Sequence, residues 1–360
     1  MDRKCFIRQC REQATFAVVL PKRVLLCQRH NLDFIENAHS TKHILETLDE
    51  LNARTAQALL EYKKENGPGL KVLKDGSVYE GHLSNGKIHG CGRMCYPDGS
   101  VAEGKWSNGK LHGTATKCFK NGDQYIGNWM NDKQHGKGLY ISTSGEIYYG
   151  EWMNGKLHGK GVRLWANQEI YTGMWSNNYR HGEGLYIWAN GDTYWGDWAN
   201  DKHQGKGFRS WTTGDTFYGE WSNHQRHGEG LNTWANGDSY RGTWENGKPH
   251  GKGLRIWAND ETYYGEWAND KLYGKGLYIR ASGDTYNGKW VNDKLHGKGK
   301  YSWVGGEVYD GEWSNDKQHG KGLLTWISGS SFDGEWLNGQ LYYGQYSLGN
   351  SNNDNEFELA

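Results

Sequence analysis

The first residues that could do chemistry lie near the N-terminus. Cys5, Cys10, Cys27 and His30 are spaced Cys-x4-Cys-x16-Cys-x2-His. Three thiolates and one imidazole suit a closed, tetrahedral structural zinc site. The spacing is looser than a double Cys-x2-Cys, and the alternative is a small apolar β element with incidental thiols. Histidine is the next candidate. Nine of the 15 histidines share one phase of a long repeat: 89, 112, 135, 158, 181, 227, 250, 296 and 319. A reaction needs its acid or base once, so nine copies are architecture, expected to pack and hydrogen-bond at a bend. Cys91, Cys95 and Cys118 could join His89 around a metal, but small buried side chains are the favoured role. The sequence holds no Gly-x-Ser-x-Gly elbow, no Walker A loop and no His-Glu-x-x-His, so an enzyme is not expected.

The elements that must carry these residues follow from the repeat. Glycine recurs every 23 residues from Gly81 to Gly334, giving twelve units without an insertion. An aromatic residue precedes each glycine by two positions, as in Tyr148 before Gly150; Ala102 is the exception. Trp follows by two, as in Trp152, with Leu83 in its place in the first unit. This period of two predicts a strand with Tyr, Gly and Trp on one face. Glycine inside a strand is tolerated where an aromatic covers the bare backbone, here expected from the next strand. Asn-Gly or Asn-Asp then predicts a tight turn. A second strand is expected from Gly159 to about Trp165 in that unit, followed by a Gly-Asp type turn. Twelve hairpins give 24 strands, which at ~4.8 Å per strand would extend roughly 115 Å and curl into an open trough.

Three side-chain stripes ride on this frame. Trp165, Trp188, Trp211, Trp234, Trp257, Trp303 and Trp326 share a phase assigned to the second strand. A single-layer sheet cannot cover both faces, so these tryptophans are the expected surface for a protein partner; the alternative is packing along the sheet. Tyr149, Trp195, Tyr218 and Tyr264 point to the opposite face. Lys87, Lys110, Lys133, Lys156, Lys202, Lys248, Lys271, Lys294 and Lys317 fall in the hairpin turns. Acids such as Asp123, Glu146, Asp192 and Asp238 follow the other turns. The expectation is one basic and one acidic rim, the basic one able to meet an acidic partner or anionic lipid.

Units such as Tyr148-Tyr149-Gly150-Glu151-Trp152-Met153-Asn154-Gly155-Lys156-Leu157-His158-Gly159-Lys160-Gly161 closely resemble the MORN repeat. The resemblance covers residues 72 to 346. It implies a groove-shaped β-sheet used as an interaction scaffold. Members of that family are associated with membranes, phosphoinositides, cytoskeletal or ciliary structures, and partner peptides in the groove. Some carry a lipid kinase or methyltransferase domain, which is not expected within these 360 residues. The Cys/His set resembles one half of a B-box zinc finger. The middle Cys pair for a second zinc is missing, and His39 and His43 do not complete it.

Four segments are expected: a zinc-binding piece at 1–31, a helix at 32–66, the repeat array at 72–346 and a disordered tail at 347–360. Leu32, Ile35, Ile44, Leu48, Leu51, Ala58, Leu59 and Tyr62 give the helix its apolar seam, ended by Asn66-Gly67-Pro68-Gly69. It would either cap the sheet edge or form a short coiled coil that makes a homodimer. The fold class is therefore mainly β, an elongated single-layer antiparallel meander of hairpins with one helix and a zinc-finger-like element.

Composition bounds the function. The chain has 42 Lys+Arg against 42 Asp+Glu, so bulk nucleic-acid binding, which needs a basic surplus, is excluded. With 53 Gly, only 4 Pro and 14% aromatics, it is neither collagen-like nor a flexible polar chain. No apolar run reaches the ~18 residues of a transmembrane helix, and Met1 to Arg11 lacks the pattern of a secretory signal. A cytoplasmic protein is expected, at cytoskeletal, ciliary or membrane-apposed structures. The leading function is a scaffold for a protein segment. The second is peripheral phosphoinositide or anionic-lipid binding through the lysine rim. A carbohydrate-stacking repeat is third, with the His-Gly turn signature against it.

Overall fold

The computed structural model describes residues 69–349. The zinc-ligand candidates Cys5, Cys10, Cys27 and His30, the helix expected at 32–66, and the tail beyond 349 lie outside the described residues. The described part is all-β, with 25 strands numbered β1 to β25 in chain order and no helix. They fall into two compact units, divided between Ala189 and Asn190. The first holds β1 (Gly69–Val72) to β11 (Tyr179–Ile187), and the second holds β12 (Thr193–Ala199) to β25 (Gln340–Ser347). Within each unit the strands form an antiparallel meander in which sequence neighbours pair. The odd strand is β1, which pairs with Val78–Ser84 and precedes the first full hairpin. The last strand ends at Ser347, the first residue of the expected tail.

The hairpin of β8 (Ile147–Met153) and β9 (Lys156–Leu164) shows why the sequence folds this way. Asn154 and Gly155 have φ of 53° and 81° and make the two-residue turn, a geometry whose twist matches the strands. Gly150 pairs with Gly161, and Trp152 pairs with Leu157. Between those pairs one residue of β8 opposes three of β9, so His158-Gly159 forms a bulge, with φ of 60° at Gly159. The bulge reconciles a seven-residue strand with a nine-residue partner. The second strand thus begins at Lys156 and ends at Leu164, and Trp165 lies just past it. In the turn that follows, Trp165 N–H donates to the Glu169 carbonyl and Gln168 N–H to the Trp165 carbonyl, both at 2.9 Å.

One face carries the core. Tyr148 lies across both glycines of its own hairpin, Gly150 on the same strand and Gly161 on the next, so the covering aromatic comes from the strand before Gly161 rather than the one after it. A Cβ on Gly161 would come within 2.2 Å of the Tyr148 hydroxyl. That hydroxyl donates to the Glu151 carbonyl at 3.0 Å. Trp152 reaches back and donates its indole N–H to the Gly138 carbonyl of the preceding hairpin at 3.3 Å. A tyrosine flanked by two tryptophans meets both edge-on. In the first unit Tyr148 contacts Trp152 at 5.2 Å and Trp175 at 5.6 Å; in the second Tyr263 contacts Trp267 at 5.2 Å and Trp290 at 5.6 Å. Such contacts contribute about 0.5–1.5 kcal/mol each beyond burial. The core is a ladder of rings that ties hairpin to hairpin without a second sheet.

Candidate functional site

The core face is not covered everywhere by its own side chains. In the second unit it holds an open groove of about 800 Å³, running across the strands from Arg255 to Gln318. Trp267, Trp290 and Trp313 with Leu272 and Leu295 form its floor. One wall carries Trp257, Arg280 and Trp303 with Tyr278 and Tyr301; the other carries Asp270, Asp293, Asp316 and Lys317.

The tryptophan stripe lies in the turns that follow the longer strands, rather than in the second strand as its phase suggested. The strand ends one residue earlier because Trp165 closes the turn, its N–H bonded to the Glu169 carbonyl and its carbonyl accepting from the Gln168 N–H. All seven tryptophans are half-buried. Except at Trp326, their rings rest on residues two positions before a tryptophan. Arg163 lies 4.9 Å from the Trp165 ring centre and Arg209 4.7 Å from that of Trp211. Arg255 sits between Trp234 at 4.6 Å and Trp257 at 5.1 Å. Trp188 contacts Tyr186 at 4.8 Å, Trp303 contacts Tyr301 at 4.5 Å, and Trp326 contacts Tyr346 at 5.6 Å. Trp257 and Trp303 line the groove. Between them the same phase holds Arg280, whose guanidinium lies 5.8 Å from the Tyr301 ring centre.

The acids at this end do not form a free rim. They are stitched to the hairpin that follows. Arg163 donates to Glu146 and Arg255 to Asp238, both at 2.9 Å, and Arg209 lies 3.8 Å from Asp192. Where the arginine is replaced by tyrosine, the phenol takes over: Tyr186 donates to Glu169 and Tyr278 to Glu261, each at 2.7 Å. The same carboxylates accept backbone N–H groups of the next turn, from Thr212 to Asp192 and from Ala258 to Asp238, both at 2.9 Å. Burial opposes the ionised Asp238, but the Ala258 N–H and Arg255 outweigh it and hold the carboxyl below its usual range. Burial, then the bond to Glu261, pushes the Tyr278 phenol up, so it remains a protonated donor. Sequence reasoning missed this ladder. Its signal was a Tyr or Arg standing 17 residues after an acid, unit after unit.

The nine lysines are each the first residue of a longer strand, and all are exposed. Acids share that edge. Leu272 N–H donates to Asp293 and Leu295 N–H to Asp316, both at 2.8 Å, so the edge alternates charge rather than being uniformly basic. Lys317 alone of the nine lines the groove. The repeated histidines occupy the bulge. Nδ1 of His135, His158, His250 and His319 is buried there without a hydrogen-bond partner, while His250 Nε2 lies 3.4 Å from Glu245. Cys91, Cys95 and Cys118 are half-buried. Among the described residues no group of three or more His, Cys, Asp or Glu could hold a metal ion.

The family model described as MORN repeat matches eleven consecutive segments, from 79–101 to 309–331. The twelfth unit read from the sequence, built on Gly334, lies beyond the last of these, although Ser331–Leu337 and Gln340–Ser347 pair as a hairpin. No curated protein matches the chain. Among solved structures, the chain is similar to the wild-type TCP10 domain of Danio rerio CPAP, at 10% identity and a TM-score of 0.31, covering 55% of this chain and 94% of that one. It is also similar to the SAS-4 (dCPAP) TCP domain of Drosophila melanogaster, solved with a proline-rich motif of Ana2 (dSTIL). There the identity is 13% and the TM-score 0.28, covering 49% of this chain and 90% of that one. At such scores neither likeness bears on function.

Proposed function

The chain belongs to the MORN-repeat family, and from that premise we propose that it is a non-catalytic scaffold that holds a protein segment on the core face of its repeats. The observation that carries this reading is the 800 Å³ groove with tryptophans on its floor and on one wall. Large, rigid aromatics give contact area at low entropic cost and dominate binding energy where they are central. The groove is polar on both walls, so a partner needs an apolar strip bordered by charged or hydrogen-bonding side chains. Family members act at cytoskeletal, ciliary or membrane-apposed structures, and we place this chain's scaffold role in the cytoplasm at such a structure. A structural zinc at Cys5, Cys10, Cys27 and His30 belongs to the same proposal.

The test is capture of a partner by the full chain and by Trp257→Ala/Trp303→Ala, followed by affinity measurement on the protein retained. Loss of two central aromatic anchors should weaken binding at least about 30-fold, a cost of roughly 2 kcal/mol or more. Unchanged affinity would move the partner off this face.

The second reading, an anionic-lipid surface, draws on the exposed row of lysines. Its contribution is at most about 1 kcal/mol per well-placed lysine, reduced here by the acids on the same edge. Flotation with phosphoinositide-containing vesicles separates the readings. Lipid binding that survives five Lys→Gln changes among Lys87, Lys110, Lys133, Lys156 and Lys202 would remove the lysine row from the account.

A further inference from the structure

The face opposite the core carries an apolar row in the second unit, interrupted only by Arg241. It runs over β12, β13 (Lys202–Ser210), β14 (Thr216–Ser222), β15 (Gln225–Thr233), β16 (Ser239–Glu245), β17 (Lys248–Ile256), β18 (Thr262–Ala268) and β19 (Lys271–Ile279). Trp195 is paired across strands with Phe208, Tyr218 with Leu231, and Leu254 with Tyr264, so these side chains stand in one line. Tyr218, Leu231 and Tyr264 are 55%, 41% and 60% exposed. The line stops after Leu277, whose next neighbour is Asn287, followed by Lys300. An apolar patch with an abrupt end marks an interaction surface rather than an incidental exposure.

A second line on the same face, two residues along each strand, carries charge: Asp197, Lys206, Glu220, Glu229, Lys252, Glu266 and Lys275. Lys206 is in register with Glu220, and Lys252 with Glu266. None of these groups forms an ion pair within the chain among the described residues. The order of signs decides what fits this face. A two-fold axis lying along the strand direction between β15 and β16 sets β12 against β19, β13 against β18, β14 against β17 and β15 against β16 of a second copy. Asp197 then faces Lys275, Lys206 faces Glu266, and Glu220 faces Lys252. Glu229 faces Thr243, a pair already joined within one chain at 3.0 Å. No like charges meet. On the apolar line Phe208 faces Tyr264 and Tyr218 faces Leu254, while Arg241 lies over Leu231 with its head free to reach solvent.

We propose that this face binds a second copy of the same chain, as a two-fold, sheet-on-sheet dimer centred on β15 and β16. The charge order is what such an isologous contact requires, because every residue must meet its complement under one operation. Sheets pack face to face about 10 Å apart with nearly aligned strands, close enough for these side chains to meet. At roughly 200 Å² per aromatic side chain, the exposed fractions of Trp195, Tyr218 and Tyr264 amount to about 300 Å² per copy. The aliphatic side chains of the same line and the charged line beside it add to this, towards the ~800 Å² each partner contributes to a standard interface. The dimer leaves both core-face grooves outward and free for partners.

Sedimentation or light scattering of the full chain tests the proposal. The wild type should have the mass of two chains. Lys206→Glu or Glu266→Lys alone places like charges across the interface and should weaken the dimer about tenfold. The two changes together should restore it, although both cis neighbours remain altered, and this separates contact between copies from contact within one chain. Tyr218→Asp/Tyr264→Asp should give monomers with unchanged circular dichroism. A wild type that stays monomeric, or a dimer indifferent to these changes or not restored by the double reversal, would overturn the proposal.

Discussion

Arg255 donates to Asp238 at 2.9 Å across 17 residues of sequence. Asp238 lies in the turn just before β16 and Arg255 on β17 of the hairpin that follows, so the bond ties the turn to that hairpin, and the same relation recurs between Arg163 and Glu146. Both Arg255 and Asp238 are largely buried. Arg255→Met keeps the side chain's packing on Trp234 and Trp257 but leaves the carboxylate without its cation. Urea unfolding at neutral pH should show a loss of about 1.5–3 kcal/mol, the range for hydrogen bonds to charged groups. A loss no greater than that of an exposed Lys→Met change would make the pair ornamental.

The glycines divide into two kinds by what surrounds them. A Cβ on Gly253 would lie 2.3 Å from the Tyr240 hydroxyl, whereas one on Gly247 meets nothing within 4 Å and only suffers the φ of 80°. Gly253→Ala should therefore displace Tyr240 and cost about 3 kcal/mol, with a changed near-ultraviolet spectrum. Gly247→Ala should cost about 1 kcal/mol with that spectrum intact. Equal costs and equal spectra would mean that the rings do not seal the glycine pairs.

Acid should loosen the acid ladder over a defined range. Burial alone would raise the Asp123 carboxyl, but bonds from Tyr140, Thr143, Asn121 and Ser142 outweigh it and bring the value down to about 2. A depressed carboxyl stabilises the fold above its unfolded value near 3.8, and that contribution disappears as pH falls towards 2. Stability measured from pH 5 to 2 should decline across this window. Tyr140→Phe removes one donor, lessens the depression, and should flatten the decline while lowering stability at pH 7. A steeper decline in that variant would contradict the assignment.

Much of this was legible in the sequence, for reasons visible at single residues. Gly150, Tyr148 and Trp152 recur at fixed spacing because the hairpin geometry tolerates no insertion, so the strands and the core face followed from the period. The place of Trp165 did not follow, because the turn it closes with Gln168 and Glu169 is made by backbone hydrogen bonds that leave no mark in a two-residue alternation. The ladder was hidden for a different reason. Glu146 and Arg163 become neighbours only once the register within the β8–β9 hairpin is fixed. The two charged rims were read from sign alone, and hydrogen bonding of the acids to backbone and side chains removed one of them.

The zinc proposal rests on the donor set of Cys5, Cys10, Cys27 and His30. Elemental analysis of the purified chain should give about one zinc per chain, lost in Cys10→Ser/Cys27→Ser while the circular dichroism of the repeats persists. A metal-free wild type purified without chelator would end that claim.

The central claim, that a protein segment lies in the core-face groove, is tested most directly by site-specific photocrosslinking. A photoreactive amino acid is placed at Trp303 in the groove wall and, separately, at Lys87 on the exposed edge. The account predicts that one partner is captured from Trp303, that its crosslinked residues form a single segment, and that the Lys87 site does not capture it. Capture of the same partner from Lys87 and not from Trp303 would contradict it.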